Sequence, residues 1–377
     1  MSRAVDDPIL ELEDVSVEFK DPPLIEQALP ESVTRKFDMF EEPVRALDDV
    51  SLELGEEDVV VLVGESGSGK STLGRTAIGL EDPTSGTVRY DGHDLEAIER
   101  GEHPDGVLFQ DVRRAMQIVH QDPSASLNPY RTVRSTLSQP LKLWYPELDM
   151  GDRRERIQAM LETTGITPAE EYMTRYPYEL SGGEKQRVSI IRAMLVEPDV
   201  ILADEVVSAL DVSLRIDVMD LLLDLQEMFG TSYIFISHNL TNARYFAEKA
   251  DGRIAVMYLG NIVEIGPADE VLENPKHPYT KILKWASLPL DPREGRDTIV
   301  EESPMMTDEQ PDPSDPPGGC RFHEACPKAR TVCQEEVPEL DPDAGDDDHR
   351  AACFREDDTH EYWNDDPLHD EEREIPQ

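Results

Sequence analysis

Apolar and polar residues alternate near the start of the chain and then give way to short runs that are wholly apolar. The alternation from Ile9 to Phe19 predicts a strand with one buried face. Strand character returns from Val44 to Leu54, whereas Val59–Val63 is apolar throughout, as is typical of a parallel strand covered on both faces. Asp21 to Pro43 is rich in proline and acidic residues and is interpreted as an insertion loop.

Strand and helix patterns then alternate as far as about Leu290. Further strands are predicted at Thr87–Tyr90, Met116–Val119, Val200–Ala203 and Tyr233–Ser237. Helices are predicted at Ser71–Leu80, Arg153–Thr164, Glu184–Val196 and Val212–Met228. This alternation predicts an α/β core with a mostly parallel sheet. Beyond Leu290 the composition becomes rich in proline, glycine and acidic residues, which favours a linker, a small extension and a polar tail.

The charge of the chain is strongly negative, with 81 Asp and Glu against 36 Lys and Arg and a formal net charge of −45. Either the protein is generally acidic with an acidic tail, or it is halophilic and works in a salt-rich cytoplasm. The second interpretation is favoured because acidic residues run through the whole chain and because ~1 M salt shortens the Debye length to ~3 Å. The acidity also excludes non-specific nucleic-acid binding, which needs a basic surface.

No stretch of the sequence approaches the ~20 consecutive apolar residues that span a bilayer. The first residues, Met1 to Leu12, lack the apolar core of a signal peptide. We therefore expect a cytosolic chain whose membrane role, if any, comes through partners.

A phosphate-binding loop is predicted directly after the apolar strand Val59–Val63 and before a helix. Glycines at this position let backbone N–H groups turn toward phosphates, and the helix N-terminus adds a positive dipole. Lys70 is expected to reach the β- and γ-phosphates and Ser71 to ligate Mg²⁺. The alternative is an ordinary Gly/Ser turn before a helix. The predicted nucleotide-binding residues of the loop are Gly64, Glu65, Ser66, Gly67, Ser68, Gly69, Lys70, Ser71 and Thr72.

Two acidic residues end the apolar strand Val200–Ala203. Such a strand delivers Asp204 to the carboxyl edge of the sheet, where it can hold the Mg²⁺ shell. Glu205 would then orient, or accept a proton from, a water that attacks the γ-phosphorus. The alternative is a strand with a polar, solvated end.

A Ser-Gly-Gly turn gives a more specific indication of the protein family. Ser181 and Glu184 form a capping-box pattern at the start of an apolar helix, and one interpretation is that they only cap this helix. The stretch Leu180–Arg187, Leu-Ser-Gly-Gly-Glu-Lys-Gln-Arg, also resembles the signature loop of the ABC transporter ATPases. That resemblance implies that Ser181, Gly182, Gly183 and Glu184 clamp the γ-phosphate of ATP bound to the opposite subunit, so that two chains enclose two nucleotides.

The other motifs of this ABC family occur in order between about Ile9 and Gly266. The resemblance implies that Gln121 senses Mg²⁺ and water, that Ser208–Asp211 crosses the dimer interface and that His238 contacts the γ-phosphate. It also implies an aromatic residue stacked on adenine; Phe19 is the first candidate for this residue and Phe40 the second. The chain departs from the family at Val206, where proline usually follows the catalytic Glu.

Two stretches resemble the oligopeptide/dipeptide importer branch, which also includes nickel carriers. They are Gln121–Pro129 and Asn274–Thr280, the latter reading Asn-Pro-Lys-His-Pro-Tyr-Thr, and Met39-Phe40 resembles the second of the branch's two ATPases. The resemblance implies two membrane permease subunits, a second ATPase in a heterodimer or homodimer, and an extracytoplasmic substrate-binding protein. Alternatives are a nickel or other small-solute importer and a soluble ABC ATPase.

All four cysteines lie near the C-terminus, in a Cys-x5-Cys-x6-Cys-x19-Cys spacing. They are Cys320, Cys326, Cys333 and Cys353. This is not the close Cys-x2-Cys pairing of common zinc ribbons, and it is similar to the C-terminal extension of the importer branch. The hypothesis is a structural four-iron–four-sulfur cluster, with zinc or free cysteines as alternatives.

The expected architecture is an ABC ATPase core of the phosphate-loop NTPase type, with an antiparallel β-subdomain and a helical subdomain. Three segments are predicted: residues 1–266 as the ATPase domain with its helical part at about 122–193, 267–290 as a branch-specific segment, and 291–377 as the cysteine-containing extension and acidic tail.

Overall fold

The computed structural model describes residues 8–19, 43–102, 106–287, 316–340 and 348–368. The predicted insertion loop, apart from its last residue Pro43, and the second candidate aromatic, Phe40, lie outside these ranges. The strands are β1 Leu10–Phe19, β2 Val44–Leu54, β3 Val59–Val63, β4 Ser85–Tyr90, β5 His93–Asp94, β6 Met116–Val119, β7 Val200–Asp204, β8 Ser232–Ser237, β9 Arg253–Tyr258, β10 Asn261–Pro267 and β11 Arg350–Ala351. Every strand predicted from the sequence is present, to within two residues at each end.

The α-helices of the described part alternate with these strands and are numbered separately along the chain. They are α1 Lys70–Ala77, α2 Leu95–Glu99, α3 Phe109–Ala115, α4 Pro123–Ser126, α5 Val133–Trp144, α6 Met150–Thr163, α7 Ala169–Tyr172, α8 Gly182–Met194, α9 Val212–Phe229, α10 Leu240–Lys249, α11 Ala268–Glu273, α12 Pro278–Ser287 and α13 Val332–Glu335. None of them combines the length and apolar character that crossing a bilayer requires.

Two sheets form the framework. The smaller one is antiparallel, with the order β2-β1-β4-β5, and it is the β-subdomain expected from the N-terminal strands. The larger one has the order β11-β10-β9-β3-β8-β7-β6. Its central strands β9, β3, β8, β7 and β6 are parallel, as predicted, whereas β10 and β11 add to one edge in the antiparallel direction.

Both faces of the large sheet are buried, which explains why β3 is apolar at every position. Val59, Val61 and Val63 face a core shared with helices α8 to α10. Val60 and Leu62 face the other way, toward α1 and the antiparallel sheet. A strand covered on both sides has no solvent face, so the alternation of apolar and polar residues disappears.

Helix α1 packs against the large sheet at Gly74, which has no side chain. A Cβ on Gly74 would stand 2.5 Å from the Leu202 Cδ1 atom of β7 and 3.1 Å from the Ile236 Cδ1 atom of β8. The absent methyl group therefore sets the distance between the helix and the strands, and with it the position of the loop that begins α1.

Helices α4 to α8 occupy the region predicted to be the helical subdomain. Their buried side chains, which include Leu137, Leu141, Ile157 and Leu161, join the core on the α8 side of the large sheet. The exact limits of this subdomain and of the other predicted segments stay predictions.

The extension at residues 316–340 and 348–368 contains little regular structure. Its strand β11 pairs with β10 through Glu264 and Ala351. Its own small apolar cluster consists of Val332, Cys333 and Tyr362. Such a cluster is too small to stabilise an independent domain.

Candidate nucleotide site

The predicted phosphate loop connects β3 to α1, the context that its sequence required. Gly69, the N-cap of α1, has φ +97°, and a Cβ there would lie 2.5 Å from the Ala46 carbonyl oxygen. Gly64 has φ +150°, and a Cβ there would lie 2.2 Å from the Met257 carbonyl oxygen. Backbone conformation and space therefore both require glycine at these two positions.

Lys70 lies inside this loop and is 5% exposed. Its ammonium donates hydrogen bonds to the Glu65 carbonyl oxygen and, at 3.1 Å, to the Ser68 hydroxyl. Burial lowers the pKa of Lys70, while the nearby carboxylates of Glu205, Glu65 and Asp204 act in the opposite direction. The cation is thus held among the groups that the sequence assigns to phosphate and metal chemistry.

Ser71 of α1 and Asp204 of β7, two of the three predicted Mg²⁺ residues, lie side by side. The Ser71 hydroxyl donates to Asp204 Oδ1 at 2.9 Å. The second carboxylate oxygen accepts from Arg75 Nη2 at 3.4 Å. Arg75 was not among the predicted site residues, although its position one helical turn after Ser71 places both on the same face of α1.

Glu205 and His238 meet at the carboxyl edge of the large sheet, where β7 and β8 end. His238 Nδ1 lies 3.1 Å from Glu205 Oε2. The backbone of Glu205 has φ +50°, a conformation uncommon for residues other than glycine. Its N–H donates to the Ile236 carbonyl oxygen at 3.2 Å, so the chain turns out of β7 while remaining bonded to β8. This turn directs the carboxylate toward the phosphate loop rather than into the core.

Gln121 follows β6 at the same edge. Val119 pairs with Ala203, one residue before Asp204, and Gln121 is exposed two residues further on.

Phe19, the predicted adenine-stacking residue, is 41% exposed at the end of β1, where it pairs with Val44 of β2. Ala46, two residues along β2, contacts the phosphate loop at Gly69.

The Ser-Gly-Gly turn at the start of α8 has the predicted capping box. Ser181 Oγ accepts from the Glu184 N–H at 3.3 Å, and Glu184 Oε2 accepts from the Ser181 N–H at 2.7 Å. Ser181 and Gly182 are exposed, whereas Gly183 packs on Leu214 of α9. The first two residues of the turn are therefore accessible to a ligand or to another molecule.

The loop Ser208–Asp211 lies between the carboxyl edge of the large sheet and α9. Ser208 donates from its hydroxyl to the Glu205 carbonyl oxygen at 2.9 Å, and Asp211 caps α9 by accepting from the Leu214 N–H at 3.1 Å. Val206, the departure from the family pattern, is buried in the core. Local hydrogen bonds and this apolar contact hold the turn that proline would otherwise restrict.

A second group of predicted residues converges elsewhere. Cys320, Cys326, Cys333 and Cys353 line one cavity of about 20 Å³ in the extension. No disulfide joins them. Burial raises the pKa of all four thiols, that of Cys353 to about 11. In the described part of the chain, no three His, Cys, Asp or Glu side chains stand close enough to hold a single metal ion as they are.

Sequence reasoning missed the contacts that join this extension to the core. Glu264 of β10 is fully buried and accepts from the Lys276 and His277 N–H groups, both at 2.8 Å. Its Oε1 atom also lies 2.7 Å from His349 Nε2, in the extension. The motif Asn274–Thr280 resembles a family feature in the sequence, but only the fold shows that it contacts Glu264 on β10.

Two family models match the chain. Residues 47–208 match the model described as ABC transporter. Residues 263–333 match the model described as oligopeptide/dipeptide transporter, C-terminal region, which covers most of β10, the Asn274–Thr280 motif and the first three cysteines.

Similar proteins cover most of the chain. It is 42% identical to the di/tripeptide transport ATP-binding protein DppF of Pseudomonas aeruginosa, across 79% of this chain and 86% of that protein. It is 40% identical to the oligopeptide transport ATP-binding protein AppF of Bacillus subtilis, across 82% of this chain and 89% of that protein. It is also 40% identical to the oligopeptide transport ATP-binding protein OppF of Escherichia coli, across 83% of this chain and 89% of that protein.

Among known structures, the fold is similar to the dimeric ATP-binding cassette MJ0796 bound to ADP and phosphate. The TM-score is 0.54 at 28% identity, covering 69% of this chain and 98% of that one. It is also similar to CbiO1 of Clostridium perfringens, with a TM-score of 0.56 at 24% identity and coverage of 71% and 92%.

Proposed function

The chain belongs to the ABC transporter family of ATPases, and from this premise we propose that it hydrolyses ATP to power the import of oligopeptides or dipeptides. The convergence of Ser71, Asp204, Glu205 and His238 beside Lys70 is the observation that carries the proposal. The names of the similar proteins and the match to the peptide-transporter C-terminal model support the cargo class.

In this proposal the phosphate loop binds the nucleotide. Lys70 leaves the Glu65 carbonyl oxygen and the Ser68 hydroxyl and binds the β- and γ-phosphates instead. The backbone amides of Gly64 to Thr72 and the dipole of α1 add to this anion site. Ser71, Asp204 and Gln121 hold Mg²⁺, which neutralises charge on the phosphates. Phe19 stacks on the adenine ring.

Glu205 is the proposed general base. Its carboxylate accepts the proton of the attacking water, and His238, 3.1 Å away, contacts the γ-phosphate and keeps the carboxylate oriented. The hydrogen bond from the Glu205 N–H to the Ile236 carbonyl oxygen supports this role, since it holds Glu205 at the edge of the sheet where β7 and β8 end.

A second ATPase chain completes the site. Ser181, Gly182, Gly183 and Glu184 would clamp the γ-phosphate bound to a neighbouring subunit, and Asp211 would lie at the interface between the two. The exposure of Ser181 and Gly182 at the N-terminus of a 13-residue helix supports this arrangement. We propose a heterodimer with the other ATPase of the transporter; a homodimer is the alternative.

The further partners are two integral membrane permease subunits and an extracytoplasmic substrate-binding protein. The chain would lie at the cytoplasmic face of the membrane, attached through the permeases. Closure of the ATPase dimer on MgATP, and its reopening after hydrolysis, would switch the permeases between outward- and inward-facing states.

The test is the assembled transporter in vesicles with Glu205→Gln. We expect the variant to bind MgATP and accumulate as a closed dimer, while ATP hydrolysis and peptide uptake fall by about 10²- to 10⁴-fold. Glu227→Gln, an exposed change on α9, is the matched control. Normal turnover by Glu205→Gln would overturn its role, and uptake of nickel but not peptides by the wild-type complex would overturn the cargo.

We also propose that the four cysteines hold a [4Fe–4S] cluster. Four cysteines, two of them buried and two half-buried, line one cavity in a region whose own apolar cluster has three residues, so a metal cluster would supply a cross-link that the extension lacks. A hydrogen bond from the Lys328 N–H to Cys326 Sγ, at 3.4 Å, suits a thiolate ligand. The cluster would be structural.

Iron, sulfide and zinc analysis of anaerobically purified protein tests the cluster. Four iron atoms per chain, lost together in Cys326→Ser, are the expected result. Stoichiometric zinc would replace the cluster with a zinc site, and absence of both metals would overturn metal binding.

A further inference from the structure

The cysteine extension and the phosphate loop are separate in sequence but adjacent in space. Cys320, Arg321 and Phe322 are consecutive, and each faces a different partner. Cys320 lines the cysteine cavity, Arg321 donates to the carbonyl oxygen of Leu259 and to the Asp48 carboxylate, and Phe322 packs against the core. Three neighbouring residues of the extension thus contact the ATPase core directly.

An aromatic bridge of Tyr258, Tyr279 and Phe322 joins the cavity to the loop. The ring of Phe322 lies 5.2 Å from that of Tyr258 and 5.5 Å from that of Tyr279, and the two tyrosine rings are 4.7 Å apart. All three side chains are buried. Aromatic rings packed in this way form a stiff unit, because buried side chains of this size have no free volume in which to move.

The bridge ends on the phosphate loop in one hydrogen bond. The hydroxyl of Tyr279, a residue of the Asn274–Thr280 motif, accepts the Glu65 N–H at 3.1 Å. Glu65 is the second residue of the loop, and its carbonyl oxygen accepts from Lys70. Tyr279 therefore fixes the backbone segment that in turn holds the phosphate-binding lysine.

Arg321 supports the other side of the loop. It bonds to the β9–β10 turn at Leu259, and Gly260 in that turn donates its N–H to the Ser68 carbonyl oxygen at 3.0 Å. The extension is thus connected to the loop at both Glu65 and Ser68, which lie on either side of Gly67.

We propose that Tyr279 is a positioning residue for the phosphate loop, through which the state of the cysteine extension sets the affinity for MgATP. This rests on the proposed nucleotide site. Coupling between two sites is reciprocal. If an intact cysteine pocket strengthens nucleotide binding by a given factor, bound nucleotide must stabilise the intact pocket by the same factor.

The experiment uses the full chain with Tyr279→Phe, which keeps the ring and removes the acceptor for the Glu65 N–H. Loss of one hydrogen bond predicts a rise of about 3- to 10-fold in the Kd and KM for MgATP, with kcat within about twofold of wild type. Tyr258→Phe is the matched control, since the Glu65 N–H donates to the hydroxyl of Tyr279 and not to that of Tyr258, which only senses the charge of the Glu65 carboxylate.

The second readout is the rate at which an alkylating reagent labels the thiols, with and without MgATP. The chain has four cysteines and all of them line this pocket, so thiol labelling reports on the extension alone. This holds whether the labelling rate is set by release of a metal or by opening of the pocket. We expect MgATP to slow labelling several-fold in wild type and in Tyr258→Phe, but not in Tyr279→Phe. Phe322→Leu, which keeps the Tyr279 hydroxyl but breaks the bridge, should lose the protection too.

Unchanged MgATP affinity in Tyr279→Phe, or equal labelling of the wild type with and without MgATP, would overturn the coupling. Failure of the wild-type chain to bind MgATP at all would instead overturn the proposed nucleotide site, so the two failures are distinguishable.

Discussion

The large sheet and the cysteine extension are stabilised in opposite ways. The sheet is buried on both faces by aliphatic side chains, so its stability is spread over dozens of contacts, each fully buried Val, Leu or Ile contributing about 1.5–3 kcal/mol. The extension has an apolar cluster of its own of only three residues, and it depends instead on a few side chains docked on the core, such as Phe322 and Leu368, on polar attachments and on its four thiols. Single substitutions should therefore affect the two regions very differently.

The largest effect is expected at the attachment of the extension, with Glu264→Ala. Burial opposes ionisation of Glu264, but the contact with His349 and hydrogen bonds from the backbone amides of Lys276 and His277 outweigh it and lower the pKa of the carboxyl. Removing the carboxylate leaves these donors buried without an acceptor, and we expect a loss of about 3–5 kcal/mol in the free energy of unfolding of the extension. Urea denaturation followed by tryptophan fluorescence, which includes Trp363 of the extension, measures it.

The pH dependence of this loss has a definite sign. Since the folded-state pKa of Glu264 lies below its ordinary value of 4.5, its stabilising contribution is complete at neutral pH and declines as the pH falls through the folded-state pKa. Wild type and variant should converge below that pH. Glu270→Ala is the control, because this half-exposed carboxylate lies 3.7 Å from the same histidine and should contribute less than about 1 kcal/mol. Equal losses in both variants would contradict the special role of the buried site.

A smaller effect is expected with Lys70→Ala, which tests whether the nucleotide site can be removed without harm to the fold. Loss of a buried, hydrogen-bonded cation predicts MgATP binding weaker by about 100-fold. Unfolding should stay cooperative and the metal content unchanged. Equilibrium titration with a fluorescent ATP analogue gives the affinity, and Lys249→Ala, at an exposed ion pair on α10, is the control. Wild-type affinity in Lys70→Ala would exclude this loop as the phosphate site.

The smallest effect is expected with Gly74→Ala in the sheet core. The new methyl group would stand 2.5 Å from Leu202 Cδ1, and overpacking costs about 1–3 kcal/mol, from which the better helix propensity of alanine recovers up to about 1 kcal/mol. Thermal denaturation should show a modest decrease in midpoint. At Gly151 in α6, a Cβ would meet only the Asp149 side chain, so Gly151→Ala should be neutral or stabilising. A stabilised Gly74→Ala would show that α1 is less tightly packed than the distances indicate.

Much of the fold was predictable because its signals are local. The apolar run Val59–Val63, the glycines of the phosphate loop and the acids after β7 each need only their immediate neighbours to be interpreted. The capping box of Ser181 and Glu184 was predicted in the same way and is present. The strands β9 and β10 were not predicted, although β9 carries an apolar run, Ile254–Tyr258, of the kind that predicted β3. In β10 the buried Glu264 interrupts the apolar residues, so its run is less regular.

The sequence by itself determined the nucleotide-binding elements, their order and the family, because each depends on residues that are adjacent in the chain. Only the tertiary structure decided which distant residues meet: Ser71 with Asp204, Glu205 with His238, Glu264 with His349, and Tyr279 with Glu65. The physical reason is that these contacts depend on the sheet order and on how closely helices pack against strands. Such long-range geometry is set by the whole core and has no local period or spacing to reveal it.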